Sequence, residues 1–529
     1  MIAKFIKILL FIIYGTQIII TAQTKDIVAY YPEWGAAHKT YFVKNIVTSG
    51  SVNKITVLIY AFVEPGPDSS GNIVPKFMNS YIDYRQPYSS EMSVDGVADD
   101  SAQPLKGQFN QLKKLKRINP KLKILLSIGG WSGSTYYSDA ALTTASREKF
   151  VDECIDKFIR GNLPVDSASG GKGVAAGIFD GFDIDWEFPL KGGAEGIHNN
   201  PNDKKNLTKL FALFRKKMDE INPGLILTAA VAAGKPNVDN YDIVKDQKYL
   251  DWFNLMTYDF HGSWDNVAAH HTNLLSSPED TTGNGIKLSF NNSIKYFLDS
   301  LGVSGWKIVP GAAFYGKLWC NVDSINHGLY QAGIGAGEDS VFSSGNYSDI
   351  STLESNGYKY YWDTLAMAPW LYNTSEKKFC SFDDPKSISL KAHYVEAYNL
   401  RGLMFWEISQ DDSSGTLVNT IYTRNMPDVK VKRSNTIKNF PSVQITEPKN
   451  FETFMKGSNV IINTNEIDKA NGTVKVEFFG DGISLGYDTK APFDWVWFNL
   501  PTGKHKIKAV ASNKEGNKKF SKEVTINIY

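Results

Sequence analysis

A chain of 529 residues with 42% hydrophobic side chains exceeds what one hydrophobic core usually organises, so a large domain and a smaller second one are expected. The formal net charge of +1, with no long run of one sign, excludes the electrostatic footprint of a nucleic-acid or anionic-membrane binder and favours a neutral substrate. Aromatic residues, 13% of the chain, suit stacking on sugar rings, although most of them must go to the core.

Lys4 and Lys7 precede an apolar stretch from Ile8 to Ile20, followed by Thr21-Ala22-Gln23. This order of basic, apolar and small residues predicts an export signal over residues 1–22, cleaved before Gln23. Tyr14-Gly15-Thr16-Gln17 interrupts the stretch, which is already short of the roughly 20 apolar residues a spanning helix needs. An extracellular protein with no membrane attachment after cleavage is expected. Cys154, Cys320 and Cys380 are too few for a disulfide scaffold; a Cys320–Cys380 bridge and buried free thiols are both open.

From residue 24 to 424 the chain alternates short apolar segments with helical patterns. The expected strands are Ile27–Tyr31, Ile55–Phe62, Ile124–Gly129, Phe179–Glu187, Leu227–Ala232, Trp252–Asp259, Lys307–Tyr315 and Leu403–Ile408. Helical periodicity covers Gln108–Lys116, Arg147–Ile159, Leu207–Ile221, Asn292–Leu301 and Ser387–Asn399. Strand and helix alternating eight times predicts an α/β fold, a (β/α)8 TIM barrel. Residues 319–384 are too many for an ordinary loop, and with Tyr358, Tyr360, Tyr361, Trp362, Trp370 and Tyr372 they predict an inserted subdomain walling the active-site face. Residues 425–441 read as a linker, and 442–529 as a small all-β sandwich with strands Thr473–Phe479, Phe493–Phe498 and His505–Ser512.

Side chains alternate along a strand, so Asp183, Asp185 and Glu187 are expected on one face of the fourth strand and Phe182, Ile184 and Trp186 on the other. The apolar set suits the helix layer, and the acids then line the barrel axis, climbing roughly 7 Å per pair toward the C-terminal rim. Desolvation and like charge should keep at least one of them protonated near neutral pH, the condition for a general acid. Glu187, at the mouth, is the candidate proton donor. A solvated acidic edge conflicts with the bulky apolar residues between the acids, and the glycine and spacing of an EF-hand are missing. A sugar-nucleotide transferase using an Asp-x-Asp metal site would lack its cytosolic donor in an exported chain. No metal or cofactor is expected, because outside the acid strand no His, Cys or carboxylate cluster shows ligand spacing.

Asp180-Gly181-Phe182-Asp183-Ile184-Asp185-Trp186-Glu187 resembles the DxxDxDxE signature of glycoside hydrolase family 18 chitinases. Ser127-Ile128-Gly129-Gly130-Trp131 resembles the family's third-strand motif, and Met256-Thr257-Tyr258-Asp259 its sixth. Phe314-Tyr315-Gly316 and Gly402-Leu403-Met404-Phe405-Trp406-Glu407 are similar to the seventh and eighth. The resemblance covers about residues 26 to 424 and implies a barrel with an α+β insertion, acting on chitin or chito-oligosaccharides; a monomer is expected.

It further implies a retaining mechanism in which the substrate's N-acetyl group is the nucleophile. Glu187 would protonate the glycosidic oxygen, Asp185 would orient the acetamide N–H, and Asp183 would hold the shared proton behind it. Tyr258 matches the hydroxyl that holds the acetamide oxygen, Met256 and Asp259 line the same subsite, and Trp406 matches the floor under the reacting sugar. Ser127 and Tyr30 match supports of the inner aspartates, and Gly129, Gly130, Trp131, Phe188 and Tyr315 join the substrate-binding set. Asp180, on the opposite alternation, is expected to support the strand only. Phe188 replaces a common Tyr and Lys317 a frequent Arg.

The C-terminal module resembles bacterial immunoglobulin-like domains, and its Phe493, Trp495 and Trp497 alternate onto one face, as core or as a sugar-binding strip. Two other functions stay open: a chitin-binding lectin on a silent barrel, disfavoured because Glu187 is present, and an endo-β-N-acetylglucosaminidase acting on N-glycans.

Overall fold

The structure, a computed structural model, describes residues 25–38, 41–282, 287–336, 345–425, 441, 443–466, 473–513 and 518–529. The expected export signal over 1–22 and nearly all of the expected linker over 425–441 lie outside the described residues. Among the described residues no helix is long and apolar enough to cross a membrane.

Eight parallel strands form the barrel: β1 (Asp26–Pro32), β2 (Val57–Pro67), β3 (Lys123–Gly129), β4 (Gly181–Asp185), β5 (Ile226–Ala232), β6 (Trp252–Met256), β7 (Ile308–Ala313) and β8 (Gly402–Trp406). Each pairs with the next, and β8 returns to β1 with Leu403 opposite Ile27, which closes the sheet. Burial on both faces explains the unbroken apolar runs, such as the fully buried Leu58, Ile59, Tyr60 and Ala61 of β2.

The helix layer meets the outward side chains. Helix Asp203–Ile221 buries Leu207, Leu210, Phe211, Phe214 and Met218, spaced three and four apart, and Phe214 meets Phe182 of β4 at 5.5 Å between ring centroids. Two expected helices end differently: Thr144–Cys154 and Phe290–Lys295 each widen into a π-type turn, Ile155–Ile159 and Tyr296–Ser300. The expected fourth, sixth, seventh and eighth strands also run too far. They leave the ladder at Asp185, Met256, Ala313 and Trp406, where the chain bends over the barrel mouth; Asp259, for example, takes a left-handed φ of 54°.

The insertion is an antiparallel sheet ordered Ile334–Gly335, Gly316–Cys320, Lys378–Phe382, Ala368–Asn373, Lys359–Asp363. It starts at Gly316, three residues before the expected boundary, because β7 turns straight into it. Its aromatics serve it first: Trp319, Trp370, Tyr372 and Phe379 form its own core. Cys380 stands opposite Leu318, whereas Cys320 pairs with Ile334 on the other side of its strand; this register keeps the thiols apart, and all three cysteines are free.

The C-terminal module is a sandwich. One sheet contains Val443–Glu447, Val460–Glu466 and Asp494–Trp497; the other is built on Gly503–Asn513, flanked by Thr473–Gly480 and Val524–Ile528. Val460, Ile462, Val476, Phe478, Ile507, Ala509, Ile526 and Ile528 alternate inward. Phe493 and Trp495 belong to this core and Trp497 packs against it, so packing uses all three.

Candidate active site

β4 rises between β3 and β5, with Asp183 opposite Ser127 and Thr228, and Asp185 opposite Gly129 and Ala230. Asp183 is fully buried on the barrel axis. Its Oδ2 accepts from Tyr30 Oη at 2.9 Å and Ser127 Oγ at 2.8 Å, and its Oδ1 from Thr228 Oγ1 at 2.6 Å and Asn254 Nδ2 at 3.0 Å. Burial leaves its pKa raised, but the four hydrogen bonds pull against that, help Asp185 lacks, so of the two buried aspartates Asp183 is the better equipped to carry charge.

Asp185 is buried without such help: its Oδ1 has no partner within the described protein. Burial, then the charges of Glu187 and Asp183, hold its pKa well above the usual carboxylate range. Glu187 stands two residues past the last rung, so strand alternation alone does not place it. Its N–H donates to Ser134 Oγ at 3.0 Å, and Ser134 donates to the Gly130 carbonyl at 2.8 Å, which anchors the acid to the turn after β3. Burial, then the charge of Asp259, raises the Glu187 carboxyl to about 8.

These acids open onto a cavity of about 970 Å³ at the C-terminal mouth, lined also by Tyr30, Trp34, Phe62, Trp131, Phe188, Met256, Tyr258, Asp259, Trp264, Tyr315, Lys317 and Trp406. Trp406 lies against Tyr30, Trp34 and Phe62 at 5.5, 6.2 and 5.7 Å between ring centroids, an apolar face at the cavity base. Tyr258 fits because position 311 is glycine; a Cβ there would stand 2.6 Å from its ring. Asp259 accepts from Tyr315 Oη at 2.7 Å and pairs with Lys317 at 3.1 Å. Burial would raise Asp259, but the hydrogen bond from His271, the Lys317 and His271 charges and the Tyr315 hydroxyl outweigh it and hold it at about 2. Trp131, 57% exposed, meets Phe188 edge-on at 6.5 Å. The insertion contributes Lys317, Leu318, Ala336, Ile350, Leu353 and Cys380 to the wall, rather than its aromatics.

Four expected site residues do not line the cavity. Asp183 and Ser127 lie beneath it, joined to each other; Gly129 and Gly130 pack instead. A Cβ on Gly129, at φ 107°, would lie 2.1 Å from the Asp185 carbonyl oxygen, so this glycine lets β3 pass under the acid. Asp180 accepts the Ile124 N–H at 2.8 Å and pairs with Lys116 at 2.7 Å, outside the cavity. Trp34, Phe62, Trp264, Thr228 and Asn254 were not singled out from sequence. Trp34 follows the end of β1 by two residues, and Thr228 and Asn254 are polar positions inside apolar strands; both are legible signals. Among the described residues no His, Cys, Asp and Glu group of metal-binding size occurs.

A closed barrel with carboxylates rising to an aromatic cleft at its C-terminal mouth has the layout of a glycoside-hydrolase barrel. Residues 26–411 match Glycosyl hydrolases family 18, and residues 441–509 match a Bacterial Ig domain. The chain belongs to glycosyl hydrolases family 18. It is 34% identical to Chitinase A1 of Niallia circulans, covering 74% of this chain and 58% of that protein, and 34% identical to Chitinase C of Streptomyces lividans, covering 73% and 57%. It thus spans little more than half the length of these curated relatives. The solved catalytic domain of psychrophilic chitinase B from Arthrobacter TAD20 matches 76% of this chain and 95% of its own at 31% identity and TM-score 0.71. Chitinase ChiA74 from Bacillus thuringiensis matches 96% and 85% at 25% identity and TM-score 0.64.

Proposed function

We propose that this protein is an exported chitinase that cleaves β-1,4 linkages between N-acetylglucosamine units with retention, using the substrate's acetamide as nucleophile. The observation that carries the reading is Asp185. It is a buried carboxyl with an unpartnered oxygen, between the four-fold hydrogen-bonded Asp183 and the mouth acid Glu187, under a cavity that Tyr258 also lines. Turned toward the cavity, this carboxyl suits an acetamide N–H.

Glu187, protonated at neutral pH, gives its proton to the glycosidic oxygen as the bond to the anomeric carbon breaks. The acetamide oxygen, held by Tyr258, bonds to that carbon and forms an oxazolinium ion. Asp185 accepts the acetamide N–H, and the one negative charge it shares with Asp183, whose partner proton lies between the two, offsets the new positive charge. Water then adds to the anomeric carbon from the vacated face, and Glu187 takes back a proton. The product is the β-anomer. Trp406 forms the platform under the reacting sugar, with Met256 and Asp259 at its side, while Trp131, Phe188 and Tyr315 extend the cleft. Residues 1–22 support export through their basic, apolar and small-residue order.

The test incubates wild type and Glu187→Gln with chitin and with a high-mannose glycoprotein, and follows reducing ends and product anomer by NMR. Chitin cleavage by wild type, with a loss of about a hundredfold or more in the variant, is expected. Equal activity would remove Glu187 as the acid, release from the glycoprotein alone would change the substrate, and an initial α-anomer would contradict acetamide participation.

A further inference from the structure

The turn that carries Tyr258 and Asp259 into the cleft ends at Asp265 and bears Trp264, an indole 60% exposed on the cavity wall. Residues 257–265 belong to no helix or strand; a few backbone hydrogen bonds, such as Phe260 N–H to the His271 carbonyl and Asp265 N–H to the Gly262 carbonyl, and side-chain fastenings set their shape. The side-chain fastenings of the turn's second half meet at His261. Its Nδ1 lies 3.1 Å from Asp265 Oδ2, its Nε2 3.5 Å from Asp280 Oδ2, and Thr282 Oγ1 stands 3.2 Å from Nε2. The ring is buried and does not line the cleft.

Asp265 passes the constraint on. Its carboxylate accepts the Gly262 N–H at 3.2 Å, closing the turn, and its carbonyl accepts Trp319 Nε1–H at 3.0 Å, which ties the turn to the insertion. A Cβ on Gly262 would stand 2.5 Å from the Trp264 indole, so that ring rests on the backbone Asp265 holds. Two carboxylates face His261, Asp265 from its own turn and Asp280 from the segment packed across it. Beyond them Lys287 donates to the Asp280 carbonyl, and the Tyr330 hydroxyl lies near enough to feel the Asp280 charge.

We propose that His261 is a positioning residue for sugar binding: as an imidazolium between Asp265 and Asp280 it fixes the 257–265 turn and presents Trp264 as a stacking platform. This rests on the cleft being a chito-oligosaccharide site. Burial works against the proton on His261, but the two carboxylates outweigh it and hold its pKa at about 9. The clamp is therefore closed across neutral pH and opens as pH rises through about 9.

The experiment compares wild type, His261→Gln, Trp264→Ala and the double variant on the N-acetylglucosamine hexamer. His261→Gln should raise KM roughly fivefold to tenfold, the worth of one aromatic platform, with kcat changed less than about twofold. His261→Arg, which keeps the charge, should recover most of that loss. The double variant should match Trp264→Ala alone, and wild-type KM should climb above pH 9 or so while that of Trp264→Ala stays level. A second readout needs no turnover. Acrylamide quenching of Trp264, taken as the difference between wild type and Trp264→Phe, should rise above about pH 9 in wild type and be high at every pH in His261→Gln. Additive losses in the double variant, or quenching untouched by His261→Gln, would overturn the clamp. Absence of hexamer turnover in wild type with the quenching result intact would instead strike the chitinase reading and leave the clamp standing.

Discussion

The Lys317 ammonium lies 3.1 Å from the same Asp259 oxygen that accepts from Tyr315 Oη at 2.7 Å, so the aspartate beside the proposed acid is held as an anion from two sides. That anion raises the Glu187 carboxyl. Asp259→Asn removes the charge, so Glu187 should lose its proton at lower pH. The alkaline limb of the pH–rate profile should move acidward, with kcat/KM at pH 8 falling about tenfold while the acid limb moves little. A pH profile of the variant on a soluble chito-oligosaccharide checks this. An unmoved alkaline limb would mean that Asp259 does not tune the acid.

Glu187 also leaves a mark on stability. Its folded pKa, about 8, lies above the ordinary glutamate value of 4.5, so the folded state binds the extra proton between those values. Stability linked to this group is present below about pH 4.5 and lost as pH rises toward 8. Glu187→Gln removes the titration. The variant should melt close to wild type at pH 5 and several degrees higher at pH 9, measured by calorimetry at both values. A gain that is equal at the two pH values would contradict the raised pKa.

Much of this site was legible because barrel physics leaves its traces in sequence. Phe182, Ile184 and Trp186 alternate with the acids because one face of β4 meets helix Asp203–Ile221 and the other the barrel axis, and that alternation placed Asp183 and Asp185. It did not place Glu187, whose position depends on Ser134, a residue in the turn after β3 and 53 positions away in sequence. The insertion's aromatics show a related limit. Composition marks Trp370 and Tyr372 as suited to sugars, but only the sheet register tells which side of the insertion they occupy, and it puts them in its core. Thr228 and Asn254 sit on apolar strands as isolated polar residues, and their purpose emerges only when Asp183 is seen between them.

Those donors to Asp183 make the next prediction. Tyr30→Phe and Ser127→Ala each remove one hydrogen bond to Oδ2, and bonds to a charged group contribute roughly 1.5–3 kcal/mol. Asp183 then carries charge less well, and the positive charge developing above Asp185 loses part of its support. Each variant should lower kcat about tenfold with KM nearly unchanged, because the loss is felt as charge develops. A rise in KM at constant kcat would place these residues in substrate binding instead.

The sandwich makes contact with the barrel through Arg424, at the end of the last barrel helix. Its guanidinium lies 5.0 Å from the Tyr487 ring and 5.2 Å from the Trp495 ring, donates to Ser389 Oγ at 2.7 Å, and also donates to the Tyr487 carbonyl. Next to it, His393 meets Trp495 at 3.8 Å between ring centroids, and Phe498 of the sandwich packs against Tyr394 of the barrel at 6.0 Å. A tether alone would leave such aromatics exposed, whereas these contacts make the sandwich a buttress on helix Pro385–Ala397, which leads into β8 and Trp406. Arg424→Ala removes two cation–π contacts and two hydrogen bonds, worth roughly 2–3 kcal/mol together. Calorimetry should then resolve two transitions where wild type gives one, with the barrel transition lowered by several degrees and hexamer turnover at 25 °C retained. Two transitions already present in wild type would show that the sandwich folds and melts on its own and lends the barrel nothing.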